Sequence, residues 1–224
     1  MSSTSLLSLG ASGLRAAQAQ LATAGHNIAN ASVEGYSRQS VKTVTSQGMF
    51  SGSGYFGRGV EVQTVEREVN GFLTDQVSQT TSQASADEVR QKMLSQMESS
   101  FGTGEQGLGY TATQMFNAFG DVAAEPTDAS ARRVVIERAG DLASMFRSTA
   151  SSLSGLQHGV TQDLKNSVAE VNNLAQRIAD LNAQIAGTRG SAQQPNDLLD
   201  QRDQLIQDLS SYVQVNRVEQ DDGS

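Results

Sequence analysis

Four large aliphatic residues, Leu7, Leu14, Leu21 and Ile28, recur at intervals of seven near the start of the chain, with Gly10, Ala17 and Ala24 three residues after the first three. A side chain returns to the same helix face about every seven residues, so this spacing predicts an α-helix with a large row and a small row along one seam. The small row lets another helix approach closely. The same stretch holds Gly10, Gly13 and Gly25, each costing about 1 kcal/mol of helix propensity relative to alanine. Such a helix is marginal alone and draws its stability from partners. Leu7, Leu14, Leu21 and Ile28 are therefore read as an assembly seam, with packing on the domain's own core as the competing explanation.

Beyond Asn30 the pattern changes. Val41, Thr43 and Thr45, then Val60, Val62 and Thr64, alternate around a glycine-dense middle from Gly48 to Gly59, which predicts two extended segments flanking a flexible loop. Helical spacing resumes at Val69, Phe72, Leu73 and Val77 and continues through Val89, Met93, Leu94 and Met97 to Phe101, before the glycines of 102–109. A further helix is predicted over 110–122, stopped by Glu125-Pro126, and Thr127 or Asp128 is placed to cap the next one. That helix carries Val134, Val135, Ile136, Leu142, Met145, Phe146 and Leu153, with Gly155 and Gly159 as interruptions or a kink.

Leu164, Val171, Leu174, Ile178, Leu181 and Ile185 form a second heptad series, ending near Gly187 and Gly190. After a loop over 191–196, Asn196 is expected to cap a short helix bearing Leu198, Leu199, Leu205, Ile206 and Leu209, with Asp197 and Asp200 at the positive end of its dipole. The alternation from Tyr212 to Val218 predicts a strand without a partner, the start of a truncated β-rich domain. Aromatic residues make up only 5% of the chain, without tryptophan, so burial must come from aliphatic seams. The expected fold is mainly α, an elongated helical bundle or coiled coil with a short extended β-like segment and loop near 41–65. Its expected divisions are 1–68, 69–210 and 211–224.

Several classes of function are disfavoured. The net charge is −8 and no run of Lys or Arg could release counterions from a phosphate backbone, so no nucleic-acid partner is expected. No stretch of 18 apolar residues predicts a membrane span, and the first 30 residues lack the pattern of a cleaved secretory signal. Without cysteine, disulfide and thiolate chemistry are absent. Two G-x-G-x-x-G patterns, at Gly52, Gly54, Gly57 and at Gly102, Gly104, Gly107, lack the strand-to-helix context that would hold a pyrophosphate. His26 and His158 stand apart from any second ligand or catalytic partner. Asp197, Asp200 and Asp203 share one helix side beside Arg202, and the spacing is read as solvated charge with a helix-start preference. Asn30-Ala31-Ser32 matches a glycosylation acceptor only as a three-residue pattern. No catalytic residue, metal or cofactor is expected.

The segment after the first helix, Asn27-Ile-Ala-Asn-Ala-Ser-Val-Glu-Gly-Tyr-Ser-Arg-Gln39, resembles the N-terminal signature of flagellar rod, hook and hook-associated proteins. The matching residues are Ala29, Asn30, Gly35, Tyr36, Ser37, Arg38 and Gln39. Physically, Asn30 is suited to end the helix in a left-handed conformation, Gly35 to permit a tight turn and Tyr36 to anchor the departing chain. Arg38 is placed to pair with an acidic neighbour. The family often has Thr-Pro where this chain has Val33-Glu34. A second segment, Asn196-Asp197-Leu198-Leu199-Asp200-Gln201-Arg202-Asp203 and onward to Ile206, resembles the hook–filament junction branch of that family, which rod and hook proteins do not usually share.

The resemblance implies a structural, non-enzymatic subunit whose terminal helices line the inner tube of the flagellar axis, with a helical domain outside it. It implies self-association in a ring and contacts with the hook protein and the second junction protein. It also implies an extracellular location reached through type III export without a cleaved signal, and an export chaperone that binds a C-terminal region absent here. Family members are longer, so an N-terminal fragment is expected. Within the same class a rod or hook protein is the alternative; from other classes come a secreted coiled-coil adhesin and, weakly, a nucleotide-binding enzyme.

Overall fold

The computed structural model describes residues 3–51, 54–188 and 193–218. Gly52 of the first glycine pattern, Gly190, the start of the expected 191–196 loop and the tail 219–224 lie outside them. The elements run α1 (Ser3–Asn30), β1 (Gln39–Thr45), β2 (Met49–Ser51), β3 (Gly54–Phe56), β4 (Val60–Arg67), α2 (Gly71–Phe101), α3 (Leu108–Ala124), α4 (Ala129–Gly187) and α5 (Asn196–Ser210). The mainly α class is as expected. The packing groups Met1–Ser82 with Val171–Ser224 in one unit and Gln83–Glu170 in another. Linear divisions at 68/69 and 210/211 do not coincide with this grouping, because the second heptad series from Val171 onward and α5 group with the N-terminal segment, while Leu164 falls in the other unit.

In the first unit β1 and β4 pair antiparallel, from Gln39 opposite Arg67 to Thr45 opposite Val60. The register shifts between Lys42 and Thr43, which face Thr64 and Val62, leaving Gln63 as the extra residue of a bulge. One extra residue restores the parity of β4, so Val60, Val62, Val65 and Arg67 all share a face with Thr45, Thr43, Val41 and Gln39. Without the bulge Arg67 would turn to the opposite face. Within the glycine-dense middle, expected as a flexible loop, β2 and β3 pair antiparallel, from Met49 opposite Phe56 to Ser51 opposite Gly54.

The core of this unit lies between the end of α4 and α5. Leu174, Leu181 and Leu205 are buried, with Ile178, Leu198 and Leu209 packed against them. Spacings of 174, 178, 181, 185 and of 198, 205, 209 put each set on one helical stripe, and Arg202 occupies the missing place in the second. Pro195 stands at the N-cap of α5 and Asn196 is its first helical residue, so the expected Asn196 cap is not formed. Residues 211–218 are turn and irregular chain rather than the expected strand; the alternating pattern has no ladder to complete there.

In the second unit the buried or half-buried positions Thr111, Met115, Ala118 and Val122 of α3, and Leu142, Met145, Thr149, Leu153 and Leu156 of α4, recur at helical spacing. Helix α4 continues through Gly155 and Gly159 without interruption. At 1.5 Å per residue, α1 is about 42 Å long.

Candidate assembly site

Asn27 organises the end of α1. Its Oδ1 accepts a hydrogen bond from the Tyr36 hydroxyl at 2.7 Å and one from the Gln39 amide at 2.8 Å, while its Nδ2 donates to the Gln39 carbonyl at 2.9 Å. One side chain thus ties the helix, the signature turn and the first strand together. The turn closes through the Val33 amide on the Asn30 carbonyl at 2.9 Å, and Gly35 adopts φ +76. A Cβ at Gly35 would lie 2.8 Å from Gln204 Oε1 on α5, so glycine is required by conformation and by approach.

Asn30 departs from expectation. No described non-glycine residue has positive φ; Asn30 stays helical, and its Nδ2 donates to the His26 carbonyl at 2.9 Å. The side chain satisfies a helix-end carbonyl directly, which removes the need for a left-handed cap. The Tyr36 ring meets the His26 ring edge-on, centroids 5.6 Å apart. Burial, then the Asp200 and Asp197 carboxylates, push the Tyr36 hydroxyl above its ordinary range.

The second signature meets the first through Asp200. Its Oδ2 accepts the Ser37 amide at 3.1 Å and its Oδ1 takes Arg67 Nη1 at 2.7 Å. Arg67 also reaches Asp203 at 3.0 Å, and Asp203 is further met by Arg202 at 3.4 Å and Arg217 at 3.3 Å. The Arg67, Asp200 and Asp203 side chains are only 10%, 10% and 15% exposed. Asp200 and Asp203 are therefore buried network members, contrary to the reading as solvated charge; Asp197 is exposed as that reading requires. Asn196 is buried and its Nδ2 donates to the Val65 carbonyl on β4 at 2.9 Å. Leu198 packs on the core and Leu199 is half-buried.

On the far side of the hairpin, Glu68 is held below the ordinary carboxylate range first by the Ser40 hydroxyl and then by Lys42, with Arg38 adding a smaller pull. Arg38 is exposed, and its carbonyl accepts the Glu68 amide at 2.8 Å. Ala29 is exposed.

Helix α1 turns a small and polar face to the hairpin. Ser12, Ala16, Ala19, Thr23, Asn27 and Asn30 are its buried or half-buried positions among the described residues, spaced four, three, four, four and three apart. Ser12 Oγ accepts the Val60 amide at 3.3 Å. A Cβ at Gly59, whose φ is +97, would fall 2.1 Å from that oxygen, so this glycine admits α1 to the hairpin. The large row lies elsewhere: Leu7, Leu14, Leu21 and Ile28 are 73%, 63%, 74% and 78% exposed. The competing explanation, that the seam packs on the chain's own core, does not hold among the described residues.

Arg67, Asn27, Gly59 and Gln204 were not singled out from the sequence as site residues. Arg67 ends an alternating strand, where a charged side chain reads as solvent-facing; only the bulge turns it inward. Asn27 lay inside the signature, and the period 12, 16, 19, 23, 27 was available as its signal.

Comparison with known proteins adds two family matches. The model described as "Flagellar hook-associated protein FlgK helical domain" matches residues 94–224, and that described as "Flagella basal body rod protein" matches residues 7–36. The flagellar hook-associated protein 1 of Salmonella typhimurium (strain LT2) is 34% identical over 223 residues, 99% of this chain and 40% of the relative. The protein of the same name from Escherichia coli (strain K12) is 33% identical over 223 residues, 99% of this chain and 41% of the relative. That of Bacillus subtilis (strain 168) is 33% identical over 210 residues, 90% and 41% respectively. The chain spans about two-fifths of the length of these curated relatives.

Proposed function

The chain belongs to the flagellar hook-associated protein FlgK family, and from that premise we propose that it is part of a structural subunit that joins the hook of the bacterial flagellum to the filament. It acts by helix packing and self-assembly, and no reaction is assigned to it. The observation that carries this reading is the division of labour on α1. Its small, polar face is satisfied by its own hairpin, while the heptad row Leu7, Leu14, Leu21 and Ile28 is left in solvent. Burying such a row is worth about 1.5–3 kcal/mol per side chain, so the exposed stripe favours association with other helices.

Copies of the subunit would associate in a ring, with the hook protein on one side and the second junction protein on the other. The subunit is exported through the type III apparatus and resides in the extracellular flagellum, with an export chaperone as a further partner. The network of Asn27, Tyr36, Ser37, Arg67 and Asp200 supports the reading, because it fixes the direction in which α1 leaves the α4–α5 hairpin. The match of the helical-domain model favours the junction over a rod or hook position, which the rod model alone would fit equally well.

Deletion of the full-length gene, followed by electron microscopy of the cells and an immunoblot for flagellin in the medium, tests the proposal. Bare hooks with monomeric flagellin in the medium are expected. Cells without hooks would move the subunit to the rod or hook, and normal filaments would overturn the reading.

A further inference from the structure

Beyond the β1–β4 ladder, residues 46–51 and 54–59 form an arm that the site described above does not use. Phe50 on β2 and Tyr55 on β3 face each other across the strands, rings edge to face with centroids 5.4 Å apart, and are 64% and 81% exposed. Arg58, three residues after Tyr55, is exposed and is the only charged residue in the sequence between positions 46 and 59. Exposed aromatics with an arginine are the side chains that most often anchor protein interfaces.

The arm points away from the signature turn. Asn27 meets Gln39 at one end of the ladder, and Ser12 meets Val60 at the other. Ser12 to Asn27 spans about 22 Å of helix at 1.5 Å per residue, and the arm continues beyond the Ser12 end. At the Asn27 end, between the Gly35–Tyr36 turn and the helices α4 and α5, lies an open groove of about 510 Å³. Leu181 and Leu205 form its floor and Val33 stands exposed on its lip.

The charge of the groove is the reverse of the arm's. Of its acids, Asp180 and Asp208 are held by glutamine amides at 3.0 and 3.1 Å, and Asp200 by Ser37 and Arg67. Glu34 and Asp197 are exposed and meet no cation within ion-pair distance among the described residues, while Arg177 is the one described cation on the lining. Burial first, and then the Asp200 and Asp197 carboxylates of this groove, push the neighbouring Tyr36 hydroxyl above its ordinary range.

We propose that the arm of one copy docks in this groove on the next copy, an aromatic ring of Phe50 or Tyr55 covering the Leu181–Leu205 floor and Arg58 lying between Glu34 and Asp197. A groove of this size accommodates one aromatic side chain beside a guanidinium. Because arm and groove lie at opposite ends of one hairpin, the contact does not close within a copy and is head-to-tail, the kind that propagates through a ring or helical array. The inference rests on the reading that copies of this chain adjoin in an assembly.

The absence of cysteine makes the contact testable by directed cross-linking. One preparation carries Gly57→Cys, where an added side chain meets open space, and the other Gln201→Cys, an exposed position on the groove. Mixed at millimolar concentration under a mild oxidant, they are expected to form the mixed dimer about tenfold faster than Gly57→Cys with a control Gln79→Cys on exposed α2. Glu34→Lys with Asp197→Lys in the groove partner should abolish that advantage, and Arg58→Glu in the arm partner should restore it. Equal rates for the Gln201 and Gln79 pairs, or cross-linking indifferent to charge reversal, would overturn the inference. If cross-linking fails while gene deletion still yields bare hooks, the arm contact falls and the junction role stands; selective cross-linking with normal filaments in the deletion strain would remove the junction role alone.

Discussion

Arg67→Ala is expected to loosen the joint between the signature turn and α5, by an amount set by which carboxylate it leaves behind. Asp203 keeps Arg202 and Arg217 as partners. Asp200 keeps only the Ser37 amide among its described contacts, in a position where its side chain is 10% exposed. Removing one partner of a buried pair typically costs 3–5 kcal/mol, mainly through the charge left uncompensated, and the surviving Ser37 bond argues for about 3 kcal/mol. Native-state hydrogen exchange reads this locally, which matters because a chain with two packed units need not unfold in one step. Amides of β4 and α5 that exchange by opening this joint should lose roughly 100-fold of protection, while those of 129–170 keep theirs. Adding Asp200→Ala removes the orphaned charge, so the double variant should be less destabilised than the sum of the two singles by about 2 kcal/mol. A loss of protection below about threefold in Arg67→Ala, or strict additivity in the cycle, would refute the claim that this ion pair holds the joint.

Other substitutions follow from the same geometry. Gly35→Ala places a Cβ against Gln204 at a positive φ and should cost about 1–2 kcal/mol, measured by thermal or urea denaturation, with part recovered by Gln204→Ala. Gly59→Ala meets Ser12 Oγ at 2.1 Å and Leu9 Cδ1 at 3.1 Å, so it should cost more than Gly35→Ala and expose the amides of α1 to exchange. The Tyr36 hydroxyl ionises above its ordinary pH in the folded chain, so its contribution to stability is present below pH 10 and is lost as pH rises through the shifted value. Ultraviolet titration against a Tyr36→Phe control should show that shift shrinking in Asp197→Asn. Leu14→Asp with Leu21→Asp should leave circular dichroism and thermal stability within about 1 kcal/mol of the parent, because both positions are exposed, while abolishing incorporation into flagella.

Helices proved legible wherever a seven-residue period was sustained, and the two heptad series fall inside α1 and α4 with their glycines absorbed. Legibility failed where a residue's partner lies far along the chain. Asp200 and Asp203 have the spacing of a solvated helix face, and nothing near them in sequence announces Arg67, 133 and 136 positions away. Arg67 in turn faces inward only because Gln63 is an extra residue, and a one-residue bulge leaves no clear trace in an alternating pattern. The error at Asn30 was different in kind. Two mechanisms for ending a helix predict the same residue, and only the observed bond to the His26 carbonyl separates a side-chain cap from a left-handed one. The strand expected at 212–218 shows the limit of pattern, since alternation specifies a strand only when an edge is there to receive it.

The small row of α1 poses the sharpest remaining question, because the chain's own fold does not require it. A Cβ at Gly10, Gly13 or Gly25 would meet nothing within 4 Å, and Ala17 and Ala24 are exposed. Taken alone, the chain should gain from Gly10→Ala, by about 1 kcal/mol of helix propensity. Glycine there is a cost that intramolecular packing does not explain, whereas close approach of a second helix along the row does. Ala17→Leu with Ala24→Leu isolates that contact: leucine is nearly as good a helix former, both positions face solvent, and the purified chain should keep its helicity and hydrogen-exchange pattern. In cells the same pair should block incorporation as effectively as aspartate in the large row, through bulk rather than charge. If the leucine pair assembles normally, the approaching helix does not pack against the small row, and the seam on α1 reduces to Leu7, Leu14, Leu21 and Ile28 alone.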